Sequence, residues 1–223
     1  MMNSEPVNLM TAAQDTIWQT VSATFSEAVG AMVTYDSSSV SEVSPLTVAG
    51  EINQSQMVIQ MAFSGAPESQ QLLLIPQDLF LAFASAAAGS PISTVDDNIV
   101  ADMRPVCESL VQGLCLGVSN ARGEQVMATG VTLRYQVPDL PENLQHASEL
   151  LRVTSTMSIE GLNGNITWLM DEGAVNVVLG MAASEAPAET PVVTATDFGA
   201  PTSTAPAAAP ASSPSGGSSS NGG

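Results

Sequence analysis

Apolar residues recur along the chain with two spacings, one helical and one alternating, and the two spacings follow each other in a fixed order. The first half is predicted to contain a helix over residues 9–29, extended structure over 39–52, strands over 57–63 and 71–75, and a short apolar helix over 77–88. Gly30 and Gly89 stand where the two helical patterns stop, and Pro45 interrupts the extended stretch. The first half is therefore predicted to begin and end with a helix.

The same order starts again after residue 90. Residues 93–96, Ser-Thr-Val-Asp, are typical of a helix N-cap. The second half is predicted to contain a long helix to about residue 120, strands over 126–136, 151–161 and 165–170, and a short helix over 171–181. Pro105 falls inside the long helical pattern and predicts a kink there. The order of elements in the first half is thus repeated.

This internal repeat predicts the fold class and the domain boundaries. Two helix–strands–helix units, about residues 9–90 and 91–182, favour an α+β domain with pseudo-two-fold symmetry and a largely antiparallel sheet packed on long helices. Residues 1–8 are polar and are predicted to be disordered. Residues 183–223 consist largely of Pro, Ala, Ser, Thr and Gly, which predicts a disordered linker or tail that leads to a further domain.

The charge balance excludes several classes of partner. The 223 residues include no Lys, four Arg and 22 acidic side chains, for a formal net charge of −18. Such a surface repels phosphate backbones and anionic lipids, so we expect no nucleic-acid binding, and a basic protein surface is the natural partner. We find no leader-like segment and no apolar run long enough to insert in a membrane, and therefore expect a cytoplasmic protein.

Most cofactor and metal chemistry is also disfavoured. His146 is the single histidine, so histidine-based triads and multi-histidine metal sites cannot be built from one chain. Cys107 and Cys115 are eight residues apart in one helical pattern, roughly 12 Å of rise, which favours two buried reduced thiols. Asp96 and Asp97 fit a solvated helix N-terminus better than a cation site. We expect no cofactor and no metal.

The first helix carries a polar stripe opposite an apolar one. Asp15, Gln19, Ser22 and Ser26 share one face by their spacing. The opposite face is formed by Ile17, Val21, Phe25 and Ala28. A weaker copy of the stripe is predicted at Asp102, Val106, Ser109 and Gly113. From periodicity alone, each stripe is equally compatible with an ordinary solvated helix face.

The repeat and the polar stripes together resemble the CheC/CheX/FliY family of bacterial chemotaxis and flagellar-switch proteins. The family signature is Asp or Ser, three residues, Glu, two residues, Asn, and then Pro after 22 residues. Asp15, Gln19 and Ser22 match this spacing, and Pro45 follows Ser22 after 22 residues. Gln19 replaces the signature Glu, and Ser22 replaces the Asn.

The second copy departs further from the signature. Asp102 and Ser109 match the spacing, and Gly113 follows Ser109 at the distance seen in the family. Val106 replaces the Glu, and Thr132 stands where the Pro is expected. The resemblance covers residues 9–181 and implies an α+β sheet on paired helices, related to the middle domain of the switch protein FliM. It also implies that residues 183–223 are the linker that precedes a ring-forming domain in FliY-type proteins.

The resemblance implies a mechanism that the substitutions weaken. In active members the helix approaches the aspartyl phosphate of phosphorylated CheY, where the Asn orients the attacking water and the Glu contacts a lysine of CheY. Gln19 keeps the reach but lacks the charge, Ser22 offers only a short hydroxyl, and Val106 can do neither. We therefore expect little or no catalysis from Asp15, Gln19 and Ser22, and none from Asp102 and Ser109.

Three functions remain open from the sequence. The first is an interaction scaffold in the flagellar switch or chemotaxis pathway, located at the cytoplasmic face of the flagellar basal body. Its partners would be flagellar switch proteins, a phosphorylated CheY-type response regulator, or both. The second is an active phosphatase of that regulator that uses Gln19 and Ser22. The third is an acidic protein-binding domain of another system that shares only the fold.

Overall fold

Two similar series of elements follow each other in the computed structural model, which describes residues 4–181. The first series is α1 (Ser4–Val29), β1 (Val33–Val43), α2 (Pro45–Glu51), β2 (Gln56–Phe63), β3 (Ala66–Pro76) and α3 (Gln77–Ala88). The second series is α4 (Asp97–Asp102), α5 (Arg104–Arg122), β4 (Ala128–Gln136), α6 (Glu142–His146), β5 (Leu150–Ile159), β6 (Leu162–Met170) and α7 (Glu172–Leu179). The predicted α+β class is confirmed, and the predicted linker over 183–223 lies outside the described residues.

The six strands form a sheet in the order β1-β5-β6-β3-β2-β4, and every neighbouring pair is antiparallel. Exchanging β1 with β4, β2 with β5 and β3 with β6 reverses this order without changing any neighbour. The sheet therefore has the pseudo-two-fold symmetry predicted from the repeat, with the axis between β3 and β6. At that axis Leu73 lies opposite Trp168.

Alternation along the strands divides the core between the two faces of the sheet. Leu73 and Ile75 of β3 belong to the main core, beneath the long helices, whereas Leu72 and Leu74 face a smaller cluster with α2 and α6. Because both faces are covered there, residues 72–75 of β3 are a continuous apolar run rather than an alternating one. The sheet is thus the middle layer between two unequal helical layers.

The helices α1 and α5 pack against each other over the main core at very short range. A Cβ atom placed on Gly117 would lie 2.6 Å from the carbonyl oxygen of Ile17, and one on Gly113 would lie 3.2 Å from the Cα atom of Val21. These glycines let the two backbones approach where a larger residue would separate them. Asp15 and Gln19 of the polar stripe remain exposed on α1.

Several local predictions were wrong. The α1 helix begins at Ser4 rather than Leu9, because a proline at position 6 is tolerated in a first turn. Residues 45–51 form α2 instead of continuing an extended stretch. Ser44 accepts a hydrogen bond from the backbone N–H of Thr47, and Pro45 suits the first helical position. The predicted kink near Pro105 is a break at Met103 between α4 and α5.

Candidate functional site

The structure fixes how the two halves correspond, residue by residue. Gly30 and Gly123 both end a long helix with positive φ, at 73° and 80°. Ser26 and Ser119 precede them and make the same two contacts. Each hydroxyl accepts a hydrogen bond at 2.9 Å from the backbone N–H seven residues later and donates one at 2.7 Å to the carbonyl oxygen four residues earlier. Both pairs are 93 residues apart.

This spacing relates the polar stripe of α1 to a different part of α5 from the one predicted. Asp15, Gln19 and Ser22 correspond to Glu108, Gln112 and Cys115. Pro45 corresponds to Pro138, which follows Cys115 after 22 residues, as Pro45 follows Ser22. The chain therefore carries the pattern acid-x3-Gln-x2-Ser/Cys-x22-Pro twice. The repeated proline spacing was the signal in the sequence that could have identified this second copy.

Asp102, Val106, Ser109 and Gly113, the predicted second stripe, do not share one exposed face. Asp102 is the exposed last residue of α4, and Ser109 is half-buried on α5. Val106 between them is only 7% exposed and belongs to the main core. Gly113 is packed against Thr24 of α1. These four positions are divided between the surface, the core and a helix contact.

The first copy of the pattern lies on the open side of α1. Asp15 and Gln19 are exposed, and Ser22 is half-buried. Tyr35 of β1 donates a hydrogen bond from its hydroxyl to the Asp15 carboxylate at 2.9 Å, and the Ser38 hydroxyl lies 2.8 Å from the same phenol oxygen. Burial raises the pKa of Tyr35, and Asp15 raises it further, so the phenol remains a neutral donor.

The second copy lies on α5 and is more buried. Glu108 and Gln112 are exposed, and Arg104 forms an ion pair with Glu108 at 3.6 Å. Cys115 is 8% exposed, and burial raises the pKa of its thiol to about 11 in spite of a hydrogen bond from the Ala128 backbone. The pKa of Cys107 is raised to about 12 by burial and by Glu108. Neither thiol is a thiolate nucleophile at neutral pH.

A groove with a volume of about 880 Å³ runs between α5 and β4 beside this second copy. Its apolar lining is formed by Val111, Cys115, Leu116, Val126, Met127, Ala128 and Val131. Polar residues at its margin include Glu108, Gln112, Asn120 and Gln125. Within residues 4–181, no group of three or more His, Cys, Asp or Glu side chains could hold a metal ion. The groove therefore combines an apolar lining with a polar margin.

Comparisons with known proteins agree with this architecture. The structure resembles the crystal structure of Thermotoga maritima FliY with a TM-score of 0.69 and 13% identity, covering 81% of this chain and 96% of that one. It resembles the FliM middle domain from H. pylori with a TM-score of 0.64 and 13% identity, covering 80% and 99%. A chain in the FliG–FliM complex from H. pylori matches with a TM-score of 0.65 and 12% identity, covering 80% and 100%.

These similarities confirm that the chain has the predicted CheC/FliY-like fold. At such identities they show the fold alone. A scan against protein-family models and a search of curated proteins give no match. Among the helices of the described residues, none has the length and apolar character needed to cross a membrane.

Proposed function

We propose that this chain is an interaction scaffold of the FliY/CheC type, acting in the flagellar switch or in chemotaxis by binding proteins rather than by hydrolysing phosphate. One observation carries the proposal. Both copies of the helix pattern retain their spacing and their proline, yet neither has the Glu or the Asn of the family signature. The exposed acid and glutamine of each copy remain available for contact.

The side chains at the Asn positions argue against catalysis. Hydrolysis of an aspartyl phosphate depends mainly on placing a water molecule in line with the phosphorus atom. The Ser22 hydroxyl is shorter than a carboxamide by roughly 1–2 Å, and an error of that size costs on the order of 100-fold in rate. Cys115 is buried and keeps its proton, so it cannot orient water at the surface.

The proposed partners follow from the fold and the charge. FliM forms a complex with FliG in one similar structure and with SpeE in another, so relatives of this fold bind proteins. We infer that this chain binds flagellar switch proteins, a phosphorylated CheY-type response regulator, or both, at the cytoplasmic face of the basal body. A net charge of −18 favours a basic surface on the partner and predicts affinity that falls as salt rises.

Binding to immobilised switch proteins and to a phosphorylated response regulator from the same genome tests this proposal. The wild-type chain is compared with Gln19→Arg, which places a long cation in the exposed stripe of α1. Thr16→Arg is the matched control for the added charge, since residue 16 is exposed on the same helix but lies about 100° around its axis from Asp15. We expect Gln19→Arg to weaken binding at least tenfold and Thr16→Arg to leave it unchanged. Absence of binding to every partner, or equal losses in the two variants, would refute the proposal.

A further inference from the structure

The two halves differ most where a long helix meets the outermost strand of the sheet. We call the contact between α1 and β1 the first seam and the contact between α5 and β4 the second seam. Residues 33–39 and 126–132 occupy corresponding positions in the two seams and share the same sequence of buried, half-buried and exposed positions. The backbones differ at Ser37, because its counterpart Gly130 has a positive φ of 64°. The matching exposure allows the two seams to be compared side chain by side chain.

Tyr35 spans the first seam. Its ring packs on the margin of the main core, and its hydroxyl reaches across to Asp15 on α1. At the corresponding position in the second seam stands Ala128, which has no side chain beyond Cβ. The 880 Å³ groove lies at this position and includes Ala128 in its lining. The second seam thus lacks the aromatic side chain that bridges the first.

Several residues around this position are larger or more apolar in the second seam, whereas Ala31 and Met32 correspond to the polar Glu124 and Gln125. Four small or polar residues of the first seam have larger or more apolar counterparts in the second: Ser22 and Cys115, Ala23 and Leu116, Thr34 and Met127, Ser38 and Val131. Leu116 is 50% exposed and Met127 is 57% exposed. Large apolar side chains clustered at an open groove are typical of a surface that another chain covers.

The polar groups of the second seam define what could enter it. Glu108 corresponds to Asp15, the acceptor for the Tyr35 hydroxyl, and so offers an acceptor to an incoming phenol. The groove lining contains no basic side chain, although Arg104 reaches Glu108 from one turn away on the exposed surface. In addition, β4 is an outermost strand, and one of its edges has no neighbouring strand among residues 4–181.

We propose that the second seam binds a peptide segment of a partner protein that inserts a Tyr or Phe ring over Ala128, in the place that Tyr35 occupies in the first seam. Lys or Arg residues flank the ring and face the acidic chain, and the backbone of the segment extends along the open edge of β4. A second copy of this chain is disfavoured as the occupant because both copies would carry a net charge of −18. This inference does not depend on the function proposed for the α1 stripe.

Capped peptides provide the probe for this proposal. The peptide Arg-Val-Tyr-Val-Arg is titrated into the full chain while NMR follows the methyl groups of Leu116, Met127 and Val131. Two control peptides replace the Tyr by Ala or both Arg by Glu. We expect saturable shifts of the methyl groups of these three residues, with affinity at least tenfold higher for the Tyr/Arg peptide than for either control.

Two variants locate the binding. Ala128→Tyr supplies the missing ring from the chain itself and should abolish the shifts, and Leu116→Ser removes an apolar wall without filling the groove and should weaken binding about tenfold. Gln19→Arg should leave peptide binding unchanged, which separates this inference from the proposed function. Unperturbed seam methyls, equal binding of the three peptides, or full binding by a folded Ala128→Tyr variant would overturn the proposal. Self-association of the full chain that Ala128→Tyr abolishes would assign the groove to a second copy and would also overturn it.

Discussion

The first and second seams share their exposure pattern and their helix ends but present different surfaces. Ser26 and Ser119 each accept a hydrogen bond at 2.9 Å from the backbone N–H seven residues later, and Gly30 and Gly123 both end a long helix with positive φ. The first seam is bridged by Tyr35, whereas the second is an open apolar groove at Ala128. Both halves thus keep the contacts at the ends of the long helices. The side chains between helix and strand, such as Tyr35 and Ala128, have diverged.

The long helices show the same division between shared and divergent positions. Gly117 of α5 corresponds to Thr24 of α1, and Gly113 corresponds to Thr20. Only α5 has glycine at these positions, so the close approach of the two helices depends mainly on one half. The two helices of this pseudo-symmetric domain therefore contribute unequally to the contact between them.

The largest effect is expected at this close approach. Gly117→Ala places a methyl group 2.6 Å from a backbone oxygen of α1, which forces the helices apart. We expect a loss of about 1–3 kcal/mol in the free energy of unfolding, even though alanine favours a helix by about 1 kcal/mol. Urea unfolding measures the change. Gly50→Ala, at a helical position with open space around it, is the control and should be neutral or stabilising. A Gly117→Ala variant as stable as wild type would contradict the packing described.

A smaller effect is expected from opening the first seam. Tyr35→Ala removes a half-buried ring and its hydrogen bond to Asp15, and should cost about 1–2 kcal/mol of unfolding free energy. Tyr35→Phe retains the ring and should cost about 0.5–1.5 kcal/mol. The reverse exchange, Ala128→Tyr, adds a ring to space that is already open and should change stability by less than about 1 kcal/mol. Urea unfolding measures these changes. Equal losses of unfolding free energy in Tyr35→Ala and Ala128→Tyr would contradict a filled first seam and an open second seam.

The smallest effect is a dependence of stability on pH. Burial raises the pKa of Cys115 from its ordinary value of 9.0 to about 11, so the folded chain holds this proton more tightly than the unfolded chain. The stability due to this thiol is present below pH 9 and is lost as pH rises toward 11, by about 1 kcal/mol at pH 10. Cys115→Ala should reduce the fall in unfolding free energy between pH 8 and pH 10. Ser22→Ala, at the corresponding position of the first seam, should leave the fall unchanged.

The order of elements could be predicted from the sequence because helical and alternating spacings are strong local signals. The α2 helix was missed because residues 39–52 alternate, although Ser44 and Pro45 are a good N-cap and first helical residue. The second copy of the stripe was placed six residues too early in the chain, at Asp102 rather than Glu108. Asp102 and Ser109 look more like the first stripe than Glu108 and Cys115 do, and the break at Met103 is not visible in the periodicity. The groove could not be predicted at all, because it depends on what faces Ala128 across the second seam.

The proposal that this chain is a scaffold rather than a phosphatase is tested most directly by one rate. It is the rate at which a phosphorylated CheY-type response regulator loses its phosphate. The regulator is measured alone, with the wild-type chain, and with a Gln19→Glu/Ser22→Asn double variant that restores the family signature beside Asp15. We predict that the wild-type chain leaves the spontaneous rate unchanged and that the double variant accelerates it on the order of tenfold, because the exposed stripe of α1 then has the missing carboxylate and carboxamide. Clear acceleration by the wild-type chain, abolished by Ser22→Ala, would contradict the account and identify the chain as a phosphatase.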